Sequence, residues 1–154
     1  MTRGWLLVAG QGLMFGLVAV TAFLPGPTLF LSLFLGIGLV VAGAVVVLWT
    51  RGLLGRALTP LPQPNGAGMV SGGLYRWVRH PMYAGLVVIC LGVAVGTGGL
   101  WCYLAVVLLA AFFAFKAREE ERFLVGAYEG YAAYGAQVGR FVPGVGRLRK
   151  LSTD

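Results

Sequence analysis

Two uncharged runs open the chain and define its first elements. Residues 5–24 and 29–49 contain no Asp, Glu, Lys or Arg; the first run ends before Pro25-Gly26-Pro27 and the second ends shortly before Arg51. Each run has about the 20 apolar residues that a helix needs to cross a bilayer. The pattern therefore predicts two membrane-spanning helices, at about residues 5–24 and 29–49.

A third uncharged run, residues 83–115, is too long for one span. As a single helix, at about 1.5 Å per residue, it would be roughly 50 Å long, whereas the hydrocarbon core is about 30 Å thick. Thr97-Gly98-Gly99 supplies turn residues at which the run can fold back. We therefore expect a short hairpin with spans at about 83–98 and 100–116, which makes four membrane helices.

Composition supports this interpretation. Hydrophobic residues make up 58% of the 154 residues and charged residues 11%, compared with about 25% charged in an average soluble domain. We predict an all-α fold: a polytopic membrane bundle of four transmembrane helices in one domain over residues 1–154, with a cytoplasmic loop and a C-terminal helical extension. Cys90 and Cys102 lie in apolar runs and form neither a disulfide framework nor a metal-ligand spacing, so no metal is predicted.

The basic residues predict the orientation. All 12 Lys and Arg fall in residues 1–4, 50–82 and 116–154, which four spans would put on one side of the membrane. By the positive-inside rule that side is cytoplasmic, so we expect both termini inside a plasma (inner) membrane. A cleaved signal peptide is the alternative for the first run, although that run exceeds the usual apolar length of about 7–15 residues. Orientation and membrane lipids explain the net charge of +7 without a nucleic acid partner.

The single histidine lies where a polar loop meets the third apolar run. Pro81 lacks an N–H and has a fixed φ, so it suits the first residue of a helix and pushes His80 out of helical geometry. The free N–H groups of the first turn then point back at the loop, next to Arg79. A helix N-terminus beside a cation favours an anionic group such as a carboxylate or phosphate.

The only acidic cluster, Glu119-Glu120-Glu121, lies just beyond the fourth predicted span. Because the hairpin brings both of its outer ends to the same membrane face, these carboxylates should lie near His80. A ligand with both a carboxylate and a cation would suit such a pocket. A solvated helix end is the simpler interpretation of the acidic cluster alone, and Tyr128, Tyr131 and Tyr134 are most simply an interfacial aromatic stripe.

These features occur in a recognisable order. The chain carries Gly73-x-Tyr75-x-x-x-Arg79-His80-Pro81-x-Tyr83-x-Gly85, an apolar hairpin, a Glu pair, Tyr131-x-x-Tyr134 and Arg140-x-x-Pro143. Over about residues 50–143 this order resembles the superfamily of integral membrane methyltransferases that includes isoprenylcysteine carboxyl methyltransferase and phospholipid methyltransferase. The resemblance implies S-adenosyl-L-methionine as the cofactor, in a pocket formed by about residues 67–85 and 116–143.

The resemblance also implies individual roles. It assigns cofactor binding to Met69, Val70, Tyr75, His80, Pro81, Met82, Tyr83 and Glu120. Because Tyr128-Glu129-Gly130-Tyr131 departs from the family's spacing, Glu119 and Glu121 stay open as alternatives to Glu120. Lys116 replaces an arginine that helps hold the substrate carboxylate in the isoprenylcysteine enzymes, so Lys116 and Arg79 are predicted to bind substrate.

The predicted function is methyl transfer to a lipophilic acceptor at the membrane–cytoplasm interface. An isoprenylcysteine-type carboxylate, a phospholipid amine, and a small hydrophobic acid or thiol are all possible acceptors. Displacement at a sulfonium can rest on positioning and desolvation, so no catalytic side chain is predicted. A nicotinamide-dependent reductase of the sterol type and a small transporter subunit are the alternatives, although the predicted spans lack the ionisable residue at membrane depth that transporters usually need.

Overall fold

The computed structural model describes residues 2–59, 61 and 68–148, and within these residues the chain is all-helical, without a β-sheet. Residue 67 of the predicted pocket region, and residues 1, 60, 62–67 and 149–154 of the predicted domain, lie outside the described residues. Among the described residues, two short 3-10 turns, Gly55–Ala57 and Gly73–Arg76, accompany five α-helices: α1 Thr2–Thr21, α2 Leu33–Leu54, α3 Pro81–Thr97, α4 Leu100–Ala127 and α5 Tyr131–Gln137. The predicted all-α fold is confirmed.

Three of these helices, α1, α2 and α4, are long and apolar enough to cross a membrane, and α3 is a shorter apolar helix of 17 residues. The chain is therefore an integral membrane protein, with three candidate spans in the part that the structure describes. The predicted hairpin forms: α3 ends at Thr97, Gly98 caps it with a left-handed φ of 73°, and α4 begins at Leu100. Glycine adopts this backbone conformation without steric cost, which explains the sharp turn.

The first two helices are shifted relative to the predicted boundaries. α1 stops at Thr21 rather than 24, and α2 begins at Leu33 rather than 29. The intervening segment is held by the distant α3–α4 turn, where Leu29 N donates to Gly98 O at 2.9 Å. Ser32 then caps α2 by accepting a hydrogen bond from the Leu35 backbone N–H. A tertiary contact and a cap therefore delay the second helix.

Four glycines let α2 and α3 approach closely. Gly36 and Gly43 of α2 face Gly92 and Gly85 of α3, and a Cβ at Gly43 would lie 2.6 Å from the Gly85 carbonyl oxygen. Small residues commonly permit such backbone proximity in membrane bundles. On the other side of α3, a buried core joins it to α4 and α1; its members are Val18, Cys90, Ala94, Cys102, Ala105, Val106, Leu109 and Phe113.

The polar end of the bundle is closed by the last part of the chain. After α5, residues 138–148, here called the C-terminal clasp, run back past the start of α3. Arg79 N donates to Gly139 O at 2.8 Å and His80 N donates to Arg140 O at 3.0 Å. The clasp therefore fixes the backbone immediately before Pro81, where the sequence predicts the functional site.

Candidate functional site

A cavity of about 390 Å³ opens at the polar end of the bundle, a size typical of small-molecule sites. Residues from α1, the end of α2, the loop after it, α3, α4 and α5 line it. Nine of the ten predicted cofactor- and substrate-binding residues lie on its walls: Met69, Val70, Tyr75, Arg79, His80, Met82, Tyr83, Lys116 and Glu120. Pro81, the tenth, is buried as the first residue of α3.

His80 occupies the N-cap position of α3 with non-helical backbone angles, as the following proline predicts. Its side chain does not cap the helix but lies between two carboxylates of α4. Nδ1 is 3.6 Å from Glu120 Oε2, and Nε2 is 3.2 Å from Glu121 Oε1. The imidazole therefore connects the wall of the cavity with the protein interior.

The three consecutive glutamates have three different environments. Glu119 forms a 2.6 Å ion pair with the exposed Arg122. Glu120 lines the cavity and accepts a hydrogen bond from the Tyr83 hydroxyl. Glu121 is only 3% exposed and is not among the residues that line the cavity. Of the three alternatives, Glu120 is the one whose carboxylate faces the space a ligand would occupy.

Tyr83 stands between Glu120 and the hydrophobic core. Its ring stacks on His80 with 5.5 Å between centroids, and on Phe113 with 4.6 Å, both nearly parallel. Such stacking restricts the ring, and the hydroxyl is consequently held against Glu120. The core thereby sets the position of a polar group in the cavity.

Glu121, which the sequence offers only as an alternative ligand, is the centre of a buried ionic cluster. Arg79 Nε donates to Glu121 Oε1 at 2.9 Å, and Arg140 Nη2 donates to Oε2 at 2.6 Å. Two guanidinium groups and His80 thus surround one carboxylate. Sequence reasoning missed this role for Arg140, and its occurrence in the Arg140-x-x-Pro143 motif was the only available signal.

Arg79 makes further contacts that tie the site together. Its Nη1 donates to the carbonyl oxygens of Gly135, at 2.8 Å, and Val138, and its Nη2 donates to Gly146 O at 2.8 Å. The guanidinium is therefore engaged with α4, α5 and the C-terminal clasp. These contacts favour a positioning role, and direct contact between Arg79 and a substrate stays a prediction.

Lys116 also lines the cavity and is almost completely buried. Its Nζ donates to Gln11 Oε1 at 2.7 Å and lies 5.4 Å from the Tyr83 ring centroid, within reach of a cation–π interaction. Sequence reasoning missed Gln11, whose only signal was that it is the one amide in the uncharged run of residues 5–24. Polar residues in membrane helices usually face the bundle interior.

The tyrosines after α4 do not form the predicted interfacial stripe. Tyr128, Tyr131 and Tyr134 line the cavity together with Tyr75, because α5 turns back over the site after Gly130. Tyr134 Oη donates to the Tyr75 carbonyl oxygen at 2.6 Å. Burial raises the pKa of Tyr134 to about 12 and raises the pKa values of Tyr75 and Tyr131, so these hydroxyls are neutral at physiological pH.

A family model described as phospholipid methyltransferase matches residues 31–130. No curated protein matches significantly. The matched residues include α2, α3, α4 and the site from Met69 to Glu121, whereas Gln11 and the C-terminal clasp lie outside them.

Proposed function

Because the chain belongs to the phospholipid methyltransferase family, we propose that it transfers a methyl group from S-adenosyl-L-methionine to a lipophilic acceptor at the polar end of its membrane bundle. Enzymes of this family use S-adenosyl-L-methionine and methylate lipids. One observation carries the assignment to this site: a single cavity gathers the loop, the start of α3 and the Glu120 face of α4. Methyl donor and acceptor could meet there.

The cavity has the chemical groups that the cofactor requires. S-adenosyl-L-methionine carries a carboxylate, an ammonium and a sulfonium group. Glu120 offers an anion, tyrosine faces attract cations, and the N-terminus of α3 favours an anion. We assign cofactor binding to Met69, Val70, Tyr75, His80, Met82, Tyr83 and Glu120, while Pro81 acts by starting the helix that presents Met82 and Tyr83.

The side chains have a positioning task in this proposal. When bound, the cofactor would supply an activated methyl group: an already ionised acceptor would attack the methyl carbon without needing a base, and the methyl–sulfur bond would break to release S-adenosylhomocysteine. Tyr83 and His80 hold Glu120 in place. Lys116, one turn before Glu120 on α4, is assigned to the acceptor side. Alignment of two bound molecules accounts for rate enhancement without a dedicated acid or base.

We also propose that α3 spans the membrane as the fourth helix, with both termini in the cytoplasm. Its 17 residues extend about 26 Å at about 1.5 Å per residue, close to the hydrocarbon thickness of about 30 Å. The charged second half of α4 and the loop before α3 would then share one face. A reporter fused after Asp154 should be active only in the cytoplasm; activity outside the cell would contradict this orientation.

Ligand binding tests the proposed function directly. Purified protein in nanodiscs should bind S-adenosylhomocysteine by calorimetry and should not bind NADPH. The same preparation should transfer tritium from S-adenosyl-L-[methyl-³H]methionine to an extractable lipid. NADPH binding without S-adenosylhomocysteine binding would instead favour the reductase alternative, and absence of S-adenosylhomocysteine binding would refute the proposal.

A further inference from the structure

The end of the bundle opposite the cavity carries a concentration of exposed apolar side chains. It consists of residues 22–34, which join α1 to α2 and begin α2, and residues 97–101, which contain the turn between α3 and α4; these residues are here called the apolar cap. Phe23 is 87% exposed and Phe34 is 90% exposed. The other large exposed side chains of the cap are Leu24, Leu29, Phe30, Leu31, Leu33 and Trp101. Exposed apolar surface of this kind marks a contact with a membrane or with another protein.

The apolar cap has no charged residue, unlike the opposite end of the bundle. Asp, Glu, Lys and Arg are absent from residues 5–50 and 83–115, which contain the whole cap. At the end that carries the cavity, charged residues such as Arg51, Arg118 and Glu129 are exposed. A surface without charge is not complementary to a charged partner and favours an apolar environment. Because uncharged helix surfaces lead directly into the cap, the lipid around the helices can continue over it.

The backbone of the cap is partly paired within the protein, which suits contact with lipid because hydrocarbon offers no hydrogen bonds. Leu29 N donates to Gly98 O at 2.9 Å. In the opposite direction, Leu100 N donates to Pro27 O, also at 2.9 Å, and Pro27 has no N–H of its own. The Tyr103 hydroxyl of α4 donates to a further carbonyl oxygen of the loop at 2.8 Å. The two segments of the cap therefore form one unit, in which part of the polar backbone is withdrawn from the surroundings.

Helix length places the cap near the far boundary of the bilayer. Arg51 on α2 and Arg118 on α4 are exposed, so they mark the boundary at the end that carries the cavity. Each lies 18 residues after the first residue of its helix, Leu33 or Leu100, which corresponds to about 27 Å at about 1.5 Å per residue. The hydrocarbon core is about 30 Å thick. Both helices therefore begin within the core or at its far boundary, and any tilt would bring the cap deeper.

From this combination we infer that the apolar cap is a lipid-contact surface, embedded where the acyl chains meet the headgroups of the leaflet opposite the cavity. Its partner is the acyl-chain region of that leaflet. The described part of the chain consequently meets water at the end that carries the cavity. The inference goes beyond the proposed function, and it depends neither on methyl transfer nor on which side of the membrane is cytoplasmic.

Fluorescent labelling of single introduced cysteines tests this placement. Phe23→Cys and Leu31→Cys report on the cap, and both positions are exposed, so neither substitution removes core packing. Val41→Cys, on an exposed face in the middle of α2, is the lipid reference. Glu129→Cys, at an exposed position beyond α4, is the water reference. Because the two native cysteines are buried, a small iodoacetamide dye should label the introduced thiol in detergent, and the equally treated parent measures the background.

The environment of the dye is measured in nanodiscs that hold one protein each, so that both faces of the bilayer are open to water. Iodide quenches dyes that contact water, and lipids with a doxyl group near the headgroup quench dyes at the boundary. Labelled Phe23→Cys and Leu31→Cys should be quenched by this lipid and should lose most of the iodide quenching seen in Glu129→Cys. A doxyl group at the end of the acyl chain should quench Val41→Cys more strongly than either cap position.

Two results would overturn the inference. Iodide quenching of Phe23→Cys or Leu31→Cys as strong as that of Glu129→Cys would show that the cap faces water. Protection of either cap position from both iodide and the doxyl lipids would mean that protein, rather than lipid, covers it. The measurement is independent of S-adenosylhomocysteine, so a parent that fails to bind this ligand would refute the proposed function and leave the present inference intact.

Discussion

The guanidinium of Arg79 and the carboxylate of Glu121 meet inside the protein, with Nη2 2.8 Å from Oε1 and side chains 0% and 4% exposed. Arg79 precedes α3 and Glu121 belongs to α4, so the pair joins the two helices that carry the site. Arg140 of the C-terminal clasp reaches the same carboxylate. One buried anion therefore holds α3, α4 and the clasp together, next to the cavity rather than within it.

Removing the charge of Glu121 should destabilise the protein. Glu121→Gln leaves the buried guanidinium of Arg79 without its anion, which typically costs about 3–5 kcal/mol. We expect a clearly lowered midpoint in thermal unfolding of the detergent-solubilised protein. Glu119→Gln is the matched control, because its partner Arg122 is 75% exposed and such pairs contribute about 0–1 kcal/mol. Equal melting of the two variants would refute the structural role of Glu121.

Glu120 should instead determine cofactor affinity. Glu120→Gln retains most of the side chain's shape but removes the charge that faces the cavity. Loss of a charge-assisted hydrogen bond is worth about 1.5–3 kcal/mol, or roughly ten- to a hundredfold in affinity for S-adenosylhomocysteine. Calorimetry on Glu119→Gln should give the parent's affinity. The opposite result, weak binding only in Glu119→Gln, would shift the ligand register by one residue.

His80 is expected to act with Glu120. His80→Ala removes the imidazole that lies against both Glu120 and the Tyr83 ring, so it should also weaken S-adenosylhomocysteine binding about tenfold or more. Arg147→Ala is the control, since its side chain is exposed and lies outside the cavity. Parent-like affinity in His80→Ala, with a monodisperse elution profile, would restrict the histidine to a packing role.

The sequence predicts helix starts and turns best where a single residue type restricts or permits the backbone angles. Pro81 predicts the start of α3, and Gly98 predicts the hairpin turn, because each residue type restricts or permits particular backbone angles. The start of α2 was misplaced because Leu29 pairs with the distant Gly98, a contact that no local pattern encodes. Helix type was therefore easier to predict than helix boundaries.

The different roles of the three consecutive glutamates could not be predicted from the sequence. Consecutive residues on an α-helix point about 100° apart, so the rotation of α4 relative to α3 decides which carboxylate faces the cavity and which contacts Arg79.

The contact of Gln11 with the site was not predicted, for a different reason. An uncharged amide does not interrupt an apolar run, and its importance follows only from the packing of α1 against α4.

Tyr134 supports the loop wall of the cavity through a hydroxyl whose charge state can be tested. Tyr134→Phe removes the hydrogen bond to the Tyr75 carbonyl and should cost about 0.5–1.5 kcal/mol of unfolding free energy at neutral pH. Because the folded pKa, about 12, exceeds the ordinary 10.0, this stabilisation is complete below pH 10 and is lost as the pH rises through the folded value.

Denaturant unfolding at several pH values provides the measurement. The difference between the parent and Tyr134→Phe should be constant from neutral pH up to about pH 9 and should shrink above pH 10. Tyr128→Phe is the control, because within the described residues the Tyr128 hydroxyl makes no hydrogen bond. A difference that grows in alkali would mean that the ionised form of Tyr134 is the stabilising one.

The glycines between α2 and α3 offer a test of how the bundle positions the site. A Cβ at Gly43 would lie 2.6 Å from Gly85 O and 2.9 Å from Ile89 N, so backbone atoms would have to move. Gly43→Ala should therefore destabilise the protein by about 1–3 kcal/mol, even though alanine favours a helix by roughly 1 kcal/mol. S-adenosylhomocysteine affinity should fall as well, because displacement of α3 moves the residues after Pro81.

Gly38, on the same helix, separates the packing effect from helix propensity. A Cβ there meets no atom within 4 Å among the described residues. Gly38→Ala should therefore leave the thermal midpoint unchanged or raise it, by up to about 1 kcal/mol in stability, and should not alter S-adenosylhomocysteine binding. If both variants melt alike, the close α2–α3 contact does not determine stability. If Gly43→Ala melts early but binds normally, the bundle stabilises the fold without positioning the site.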